Sequence, residues 1–566
     1  YKKASTGQKR IAVLNERQEI IVRRILVRNE KKWCKIIYQN KKGKRCSGYI
    51  KLHPVTILSK VNLRLPQTTT IKLRVDARRL PTDMATRKGT LKKNQKVKIL
   101  AVSIHNGETW YYVQYRRNGK TQRNYIKKEN VKEPISAEQW RFERNLASFP
   151  DSYQSDLIQL YQAHPNWNFV PVYTGHSWDE ALAAESKTGV NVITSVAPVN
   201  GTYGSWDAPF NYLSTAKGAY NWRTDKYTVF DGTKWYAATK EVIAYYMDPR
   251  NFLTEQGIYM FESMKYEPGV QDIKGVRAIL KNSFMDGTFT VSNGKKKVTY
   301  DYAEVFMEAA EKSGVSPYFL AARSLMELGS GGSGSSSGKT GIYNFYNIGA
   351  NDSKKGEAVS NGLKWAASGK SYMRPWTTPY KSIVGGAKYI QAHYVDQKQY
   401  TAYFQKFNVI NEATLYWHQY ETAVYAPFAE AMTKQKVYKT LRIDRQPLTF
   451  YIPVYAYMPE QQVSLPAPKG NTNCFIRSVK ITDAKTGTQL NGRLSAKFQY
   501  NKMQYTLTVP RSVASVKISA KASSKFSTVT GKGVYTLRAK ETKRVRLVCT
   551  AQSGDYRAYE IKIKRK

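Results

Sequence analysis

Glu327 is the residue in this chain best placed to do chemistry. It stands at the end of a helical segment and leads directly into Gly329-Ser330-Gly331-Gly332-Ser333-Gly334-Ser335-Ser336-Ser337-Gly338. A carboxylate in the last turn of a helix faces the negative end of the helix dipole, and partial burial disfavours its charged form in the same direction. Both effects favour a protonated carboxyl near neutral pH, the species that protonates a leaving oxygen in glycosidic cleavage. The following run of small residues leaves room for a polymer to approach.

The elements that must hold Glu327 are legible around it. Asp301 with Glu304 forms a capping box that starts a helix ending at Gly314, with Tyr302, Phe306, Ala309 and Ala310 as its apolar face. Ser316 as N-cap and Pro317 at the first position start a second helix, which runs through Leu320, Ala321 and Leu325 to Gly329. The two predict a short helical hairpin.

Two other hydrolytic chemistries lack their residues. A cysteine peptidase or a zinc amidase needs a Cys with His, or a cluster of metal ligands. No cysteine occurs between Cys46 and Cys474, and His53, His105, His164, His176, His393 and His418 are scattered. No metal or cofactor is expected.

The chain has 566 residues, which predicts several domains, and 41% hydrophobic content is enough to give each a core. Lys and Arg outnumber Asp and Glu by 90 to 42, a formal charge of +48, so the partner should be a polyanion. The basic residues form no recognition helix, zinc finger or RNA-binding signature, which argues against nucleic acid and leaves wall teichoic acid, an anionic lipid surface or peptidoglycan carboxylates. The 42 Tyr and 11 Trp suit stacking on sugar faces as well as core packing. No apolar run reaches the length of a membrane span. The start at Tyr1, without a charged and apolar leader, is read as a secretion signal already removed. Two local disulfides, Cys34–Cys46 and Cys474–Cys549, are expected, each inside one β module.

The first 135 residues contain a repeat. Trp33-Cys34-Lys35-Ile36-Ile37-Tyr38 returns as Trp110-Tyr111-Tyr112-Val113-Gln114-Tyr115, and each is followed by a basic Gly-containing turn and then Tyr49-Ile50-Lys51 or Tyr125-Ile126-Lys127. This resembles bacterial SH3-like wall-binding modules, a weaker copy over 1–65 and a second over 66–135. Residues 136–254 open with a helix capped by Ser136 and Gln139 and form an accessory region. Residues 445–566 alternate apolar and polar positions, as in Tyr505-Thr506-Leu507-Thr508-Val509, which predicts an antiparallel sandwich. That segment resembles a cadherin-like appendage.

The string from Val315 to Gly329, followed by Gly341-Ile342-Tyr343-Asn344-Phe345-Tyr346-Asn347-Ile348-Gly349-Ala350, resembles glycoside hydrolase family 73, the bacterial cell-wall endo-β-N-acetylglucosaminidases. Trp376-Thr377-Thr378, Ser382-Ile383-Val384-Gly385-Gly386-Ala387-Lys388, Gln405-Lys406-Phe407-Asn408-Val409 and His418-Gln419-Tyr420 continue the likeness over 255–440. The resemblance implies a lysozyme-like α+β catalytic domain between N-terminal SH3-like β-barrels and a C-terminal antiparallel β-sandwich. It implies a secreted, wall-associated enzyme acting on peptidoglycan glycan strands, with Glu327 as the acid. The second catalytic group stays open between Tyr380 and the carboxylates Asp352 and Glu357. Tyr343, Tyr346, Asn347, Trp376, Gln405, Asn408 and His418 are the implied substrate-binding residues, Trp376 by stacking and Asn347 by hydrogen bonding an N-acetyl group. Gln397-Lys398-Gln399-Tyr400 and Glu421-Thr422-Ala423 depart from the family's pattern. A muramidase, which cuts the neighbouring bond, and a non-catalytic wall adhesin are the rival readings.

Overall fold

A computed structural model describes the chain apart from residues 6, 15–19, 29–30, 41, 43, 53–58, 195–207, 232–233, 295, 351–356, 418 and 420. It divides into two compact units, Tyr1–Ala147 and Ser148–Lys566.

The first unit is built on hairpins, because its strands bury one face and alternate in period two. Strands Ile21–Arg28, Lys31–Gln39 and Arg45–Lys51 form a three-stranded antiparallel sheet. A six-stranded sheet follows, in the order Ser59–Thr70, Lys96–His105, Glu108–Arg117, Lys120–Lys127, Val75–Arg78, Arg87–Leu91. The repeat read from the sequence is a repeat of register: Trp33 pairs with Lys51 and Lys35 with Tyr49, just as Trp110 pairs with Lys127 and Tyr112 with Tyr125. Both tryptophans are buried. The second copy turns through Asn118 and Gly119, both at positive φ, the left-handed pair a tight two-residue hairpin requires. Leu91, Ile99, Val113 and Ile126 fill the core of this sheet. The helix Ala137–Leu146 belongs here as well. Its Glu143 accepts hydrogen bonds from the backbone N–H groups of Arg64 and Leu65, both at 2.7 Å, where the strand Ser59–Thr70 breaks register.

In the second unit, residues far apart in sequence are stitched into one body. Strand Asn168–Ser177 lies parallel to Thr449–Ala456, with Phe169 opposite Phe450. Trp167 donates its indole N–H to Asp444 O, and Tyr153 its hydroxyl to Pro453 O. The strand Thr449–Ala456 is thus tied to this body, and the sandwich proper begins at Ile476. The segment Met247-Asp248-Pro249-Arg250 has a structural role. Asp248 and Arg250, both fully buried, form a bidentate pair at 2.9 and 2.8 Å, and the guanidinium also donates to the carbonyls of Pro459, Glu460 and Gln461. Asp248 accepts from Val463 N, so the pair grips the strap leading into the sandwich.

The helical hairpin forms as its caps dictate. Asp301 accepts from Glu304 N and starts Tyr302–Ser313, which Gly314 ends at a φ of 68°. Ser316 accepts from Phe319 N and starts Pro317–Leu328. Tyr302, Phe306, Ala309 and Ala310 are buried, as the apolar stripe requires.

The C-terminal region packs a three-stranded sheet (Ile476–Asp483, Ser515–Ala522, Gly533–Thr536) on a four-stranded one (Gln504–Val509, Tyr556–Arg565, Thr542–Thr550, Thr528–Thr530) around Ile481, Leu507, Ile518, Leu547 and Ile561. It is not wholly antiparallel: Gln504–Val509 runs parallel to Tyr556–Arg565, a pairing that strand alternation cannot reveal.

The expected disulfides are absent; all four cysteines are free thiols. Cys34 faces Ile50 while Cys46 faces Tyr38, so the first two sit on different rungs of one ladder. Cys549 donates to Phe475 O, and burial, reinforced by nearby Cys474, pushes its thiol up to about 11. No helix among the described residues is long and apolar enough to cross a membrane.

Candidate active site

Glu327 lies in the last turn of the helix Pro317–Leu328, with its side chain 26% exposed. It is not an isolated carboxyl. Arg323, one turn earlier on the same helix, meets Glu327 Oε1 at 3.1 Å and Glu430 Oε2 at 3.5 Å. On its other side, Asn347 Nδ2 donates to Glu327 Oε2 at 3.1 Å and to the Glu327 carbonyl at 3.2 Å. Asn347 takes a left-handed φ of 47°, which asparagine tolerates, and so points its amide back at the helix end. Its carbonyl Oδ1 is buried with no partner among the described residues.

Beside this pair lies a cavity of about 340 Å³, lined by Arg323, Asn347, Tyr346, Gln405, Glu421 and the aromatic rings of Phe319, Tyr389 and Tyr394, among others. Tyr389 and Tyr394 follow from the helix Pro379–Ile390 and the wider π turn Gln391–Val395 that continues it. The motif around Ser382 explains how this wall is built. Ser382 Oγ accepts from Phe345 N, and the Tyr346 ring lies so close to Gly386 that any Cβ there would overlap it. Asn344, fully buried, ties the same loop together by donating to the carbonyls of Ile348 and Gly362.

A buried charge network is coupled to the cavity-lining Glu421. Lys406 is fully buried; desolvation pushes its ammonium down to about 8, against the pull of Glu185 and Glu421. It donates to Gln419 Oε1 at 2.8 Å, and Gln419 Nε2 in turn donates to Glu185. Glu185 comes from the helix Trp178–Glu185, far upstream in sequence, and is pushed up by burial while Lys406, Asn191 and Gln419 pull it down. On the other side, Glu262 is buried between Lys434 Nζ at 3.2 Å and the Tyr438 hydroxyl at 2.9 Å, and burial raises it. Among the described residues, no group of His, Cys, Asp and Glu could hold a metal ion.

The structure brings together Glu327, Asn347, Tyr346 and Gln405. Tyr346 is buried and donates its hydroxyl to Ile383 O, so it forms wall, and Gln405 is similarly buried with its amide against Met264 Sδ. Trp376 is not a stacking platform: it is wholly buried and donates its indole N–H to Tyr372 O at 2.7 Å. Asn408 is interior too, its amide donating to the carbonyls of Thr414 and Trp417, which shapes that loop. Tyr380 stands in a separate cluster, donating to Glu308 at 2.7 Å and accepting from Lys312 at 3.0 Å, and burial raises its hydroxyl. Tyr343 is half-buried against Gly338 in the small-residue loop. Glu357 caps the start of Ala358–Ala367 without a side-chain bond and does not line the cavity. Asp352 and His418 lie outside the described residues.

Sequence reasoning did not single out Arg323, Tyr389, Tyr394, Glu421 or Glu430. Arg323 and Glu430 carried a signal in their i, i+4 spacing to Glu327 and Lys434. Glu421 stood out only as a departure from the expected pattern.

No protein-family model matches the chain. It is 30% identical over 233 residues to the Beta-N-acetylglucosaminidase of Bacillus subtilis (strain 168), a stretch that is 39% of this chain and 23% of that protein. It is 31% identical over 172 residues to the Bifunctional autolysin of Staphylococcus epidermidis, covering 28% of this chain and 12% of that one. The matched stretch therefore spans less than a quarter of either relative's length. Among solved structures, the Major Bifunctional Autolysin aligns with 51% of this chain and 98% of its own, at 21% identity and a TM-score of 0.34.

Proposed function

We propose that this protein is a secreted peptidoglycan hydrolase of the family 73 kind, which cleaves the β-1,4 bond after N-acetylglucosamine with Glu327 as proton donor. The observation that carries the reading is Asn347, which lines an aromatic-walled cavity and holds the Glu327 carboxyl beside it. Asn347 holds the carboxyl with its amide N–H, and its carbonyl Oδ1 is left as an unsatisfied buried acceptor. A buried acceptor without a donor is costly, and the N–H of an acetamido sugar is a donor of the right kind. The similarity to a Beta-N-acetylglucosaminidase supports the same chemistry.

In this reading a sugar lies along Phe319, Tyr389 and Tyr394, the acetamido N–H donates to Asn347, and Glu327 protonates the glycosidic oxygen. The leaving oxygen departs as an alcohol, and water completes the hydrolysis. Arg323 orients the carboxylate between turnovers and, by its second contact with Glu430, stays fixed when Glu327 moves. The basic first unit holds the enzyme on anionic wall polymer such as teichoic acid, and the C-terminal sandwich is a spacer or adhesion unit.

Mass spectrometry of peptidoglycan digested by the full chain tests the proposal. N-acetylglucosamine at the new reducing ends is the expected result. N-acetylmuramic acid there would replace it with a muramidase, and undigested glycan would leave only a binding function.

A further inference from the structure

The cavity beside Glu327 is lined by a carboxyl that the proposed hydrolysis does not use. Glu421 lines it together with Arg323 and Asn347, the two residues that touch Glu327 directly. Its backbone position is fixed from outside the helical core. Val192 N donates to Thr422 O and Val424 N donates to Val192 O, so the strand Val192–Thr194 clamps the residues that follow it, while Thr422 also donates to Asp231. No hydrogen bond to the Glu421 carboxylate occurs among the described residues, although it is surrounded by charge. Glu430 faces it from the helix Ala426–Leu441, Arg323 and Glu327 from the helix Pro317–Leu328, and Lys406 from Ala402–Lys406.

We propose that Glu421 is the second proton-transfer carboxyl of this site, the base that takes a proton from the attacking water while Glu327 gives one to the leaving oxygen. The proposal rests on the hydrolase reading above. In the step, the bond from the anomeric carbon to the leaving oxygen breaks as that oxygen accepts the Glu327 proton. The water oxygen bonds to the anomeric carbon, and its proton passes to Glu421. One water is consumed, Glu327 ends ionised and Glu421 protonated, and exchange with solvent resets both. A base needs an open lone pair facing the reaction space, and Glu421 has a carboxylate that no described donor occupies. It also needs proton affinity near the working pH. Burial supplies it, lifting Glu421 to about 7, with Glu430 and Glu327 adding to the effect and Arg323 and Lys406 opposing it. Tyr380, by contrast, is already committed to Glu308 and Lys312.

The test uses the full chain on purified peptidoglycan. Wild type should lose kcat as pH falls through about 7, because Glu421 then carries a proton and cannot accept another. Glu421→Gln should lower kcat by about 100-fold or more with KM little changed, and should remove that acid limb. Sodium azide, a nucleophile that needs no base, should restore turnover in Glu421→Gln and leave a glycosyl azide detectable by mass spectrometry, and it should do nothing for Glu327→Gln. If Glu421→Gln does not fold, Glu421→Asp replaces it, with reduced kcat and the acid limb retained but displaced as the expected result. A wild-type kcat in Glu421→Gln, or a fall in kcat with the acid limb intact and no azide product, overturns the proposal while leaving wall hydrolysis standing. Absence of any cleavage by wild type overturns the hydrolase reading itself.

Discussion

Replacing Glu327 with Gln separates chemistry from architecture in a single substitution. The glutamine carbonyl can still accept from Asn347 Nδ2, and Arg323 keeps its contact with Glu430 at 3.5 Å. What disappears is the ion pair at 3.1 Å, whose carboxylate is about a quarter exposed and therefore screened. Pairs of that kind contribute about 1 kcal/mol or less, a cost that moves the midpoint of thermal unfolding by only about 2 °C in a chain of this size. The transferable proton also disappears. Loss of a general acid lowers the rate by about 100 to 10,000-fold, which is about 3 to 5 kcal/mol in the barrier. Release of reducing sugar from purified peptidoglycan should therefore collapse while thermal unfolding and wall binding barely change. Near-normal sugar release would refute the assignment of Glu327. An equal fall in stability and activity would show that Glu327 acts through the fold instead.

Asp248→Ala leaves Arg250 buried without its carboxylate and should cost about 3 to 5 kcal/mol in urea unfolding; a loss under about 1 kcal/mol would show that the clamp on residues 459–463 is dispensable. Lys406 is held at about 8 in the fold against an ordinary 10.5, so the unfolded chain binds the extra proton between those values and wild-type stability should rise with pH across that window. The gain is about 3 kcal/mol at most. Lys406→Met should abolish the rise and, because Glu185 then loses its counter-charge, should also destabilise near neutral pH; an unchanged pH slope in urea unfolding would refute this. Deleting residues 1–147 should lower binding to isolated walls, and binding by the full chain should weaken as salt is raised. Equal binding by the shortened chain at low salt would remove the first unit from that role.

What the sequence reveals of the site follows the range of the interactions involved. The helical hairpin is legible because its signals are local: Asp301 and Ser316 satisfy backbone groups three residues away, and Gly314 and Gly329 stop what they started. The doubled register of Trp33 and Trp110 is legible for the same reason. Trp376 shows the limit. A tryptophan between Pro375 and Thr377 reads as exposed loop, and its burial comes from the packing of Trp365, Tyr372 and Gly385 around it. Glu185 and Lys406 are equally opaque, because a charged residue on a helix reads as solvent-facing until its partner, more than two hundred residues away, is known. Glu421 belongs to this class: its proton affinity is set first by burial and then by charges on three separate segments. The thiols fail in the opposite way, since neighbours in sequence need not face each other across a ladder.

The parallel pairing of Asn168–Ser177 with Thr449–Ala456 governs how this protein can be made. Tyr153 reaches a carbonyl 300 residues further on, at Pro453. Closing so long a loop is slow, and among the described residues nothing nearer in sequence supplies that strand's partner. During synthesis the hairpin of Tyr302–Ser313 and Pro317–Leu328 emerges with its local contacts complete and can form at once. Strand Asn168–Ser177 must wait, its edge unpaired, until the ribosome has passed Ala456, and in that interval it is the segment most exposed to pairing with a wrong neighbour. A fragment cut after the last helix, at about residue 441, would carry Glu327 and every wall of the cavity, yet would keep that edge open permanently. Its failure would be aggregation before any loss of chemistry could be measured.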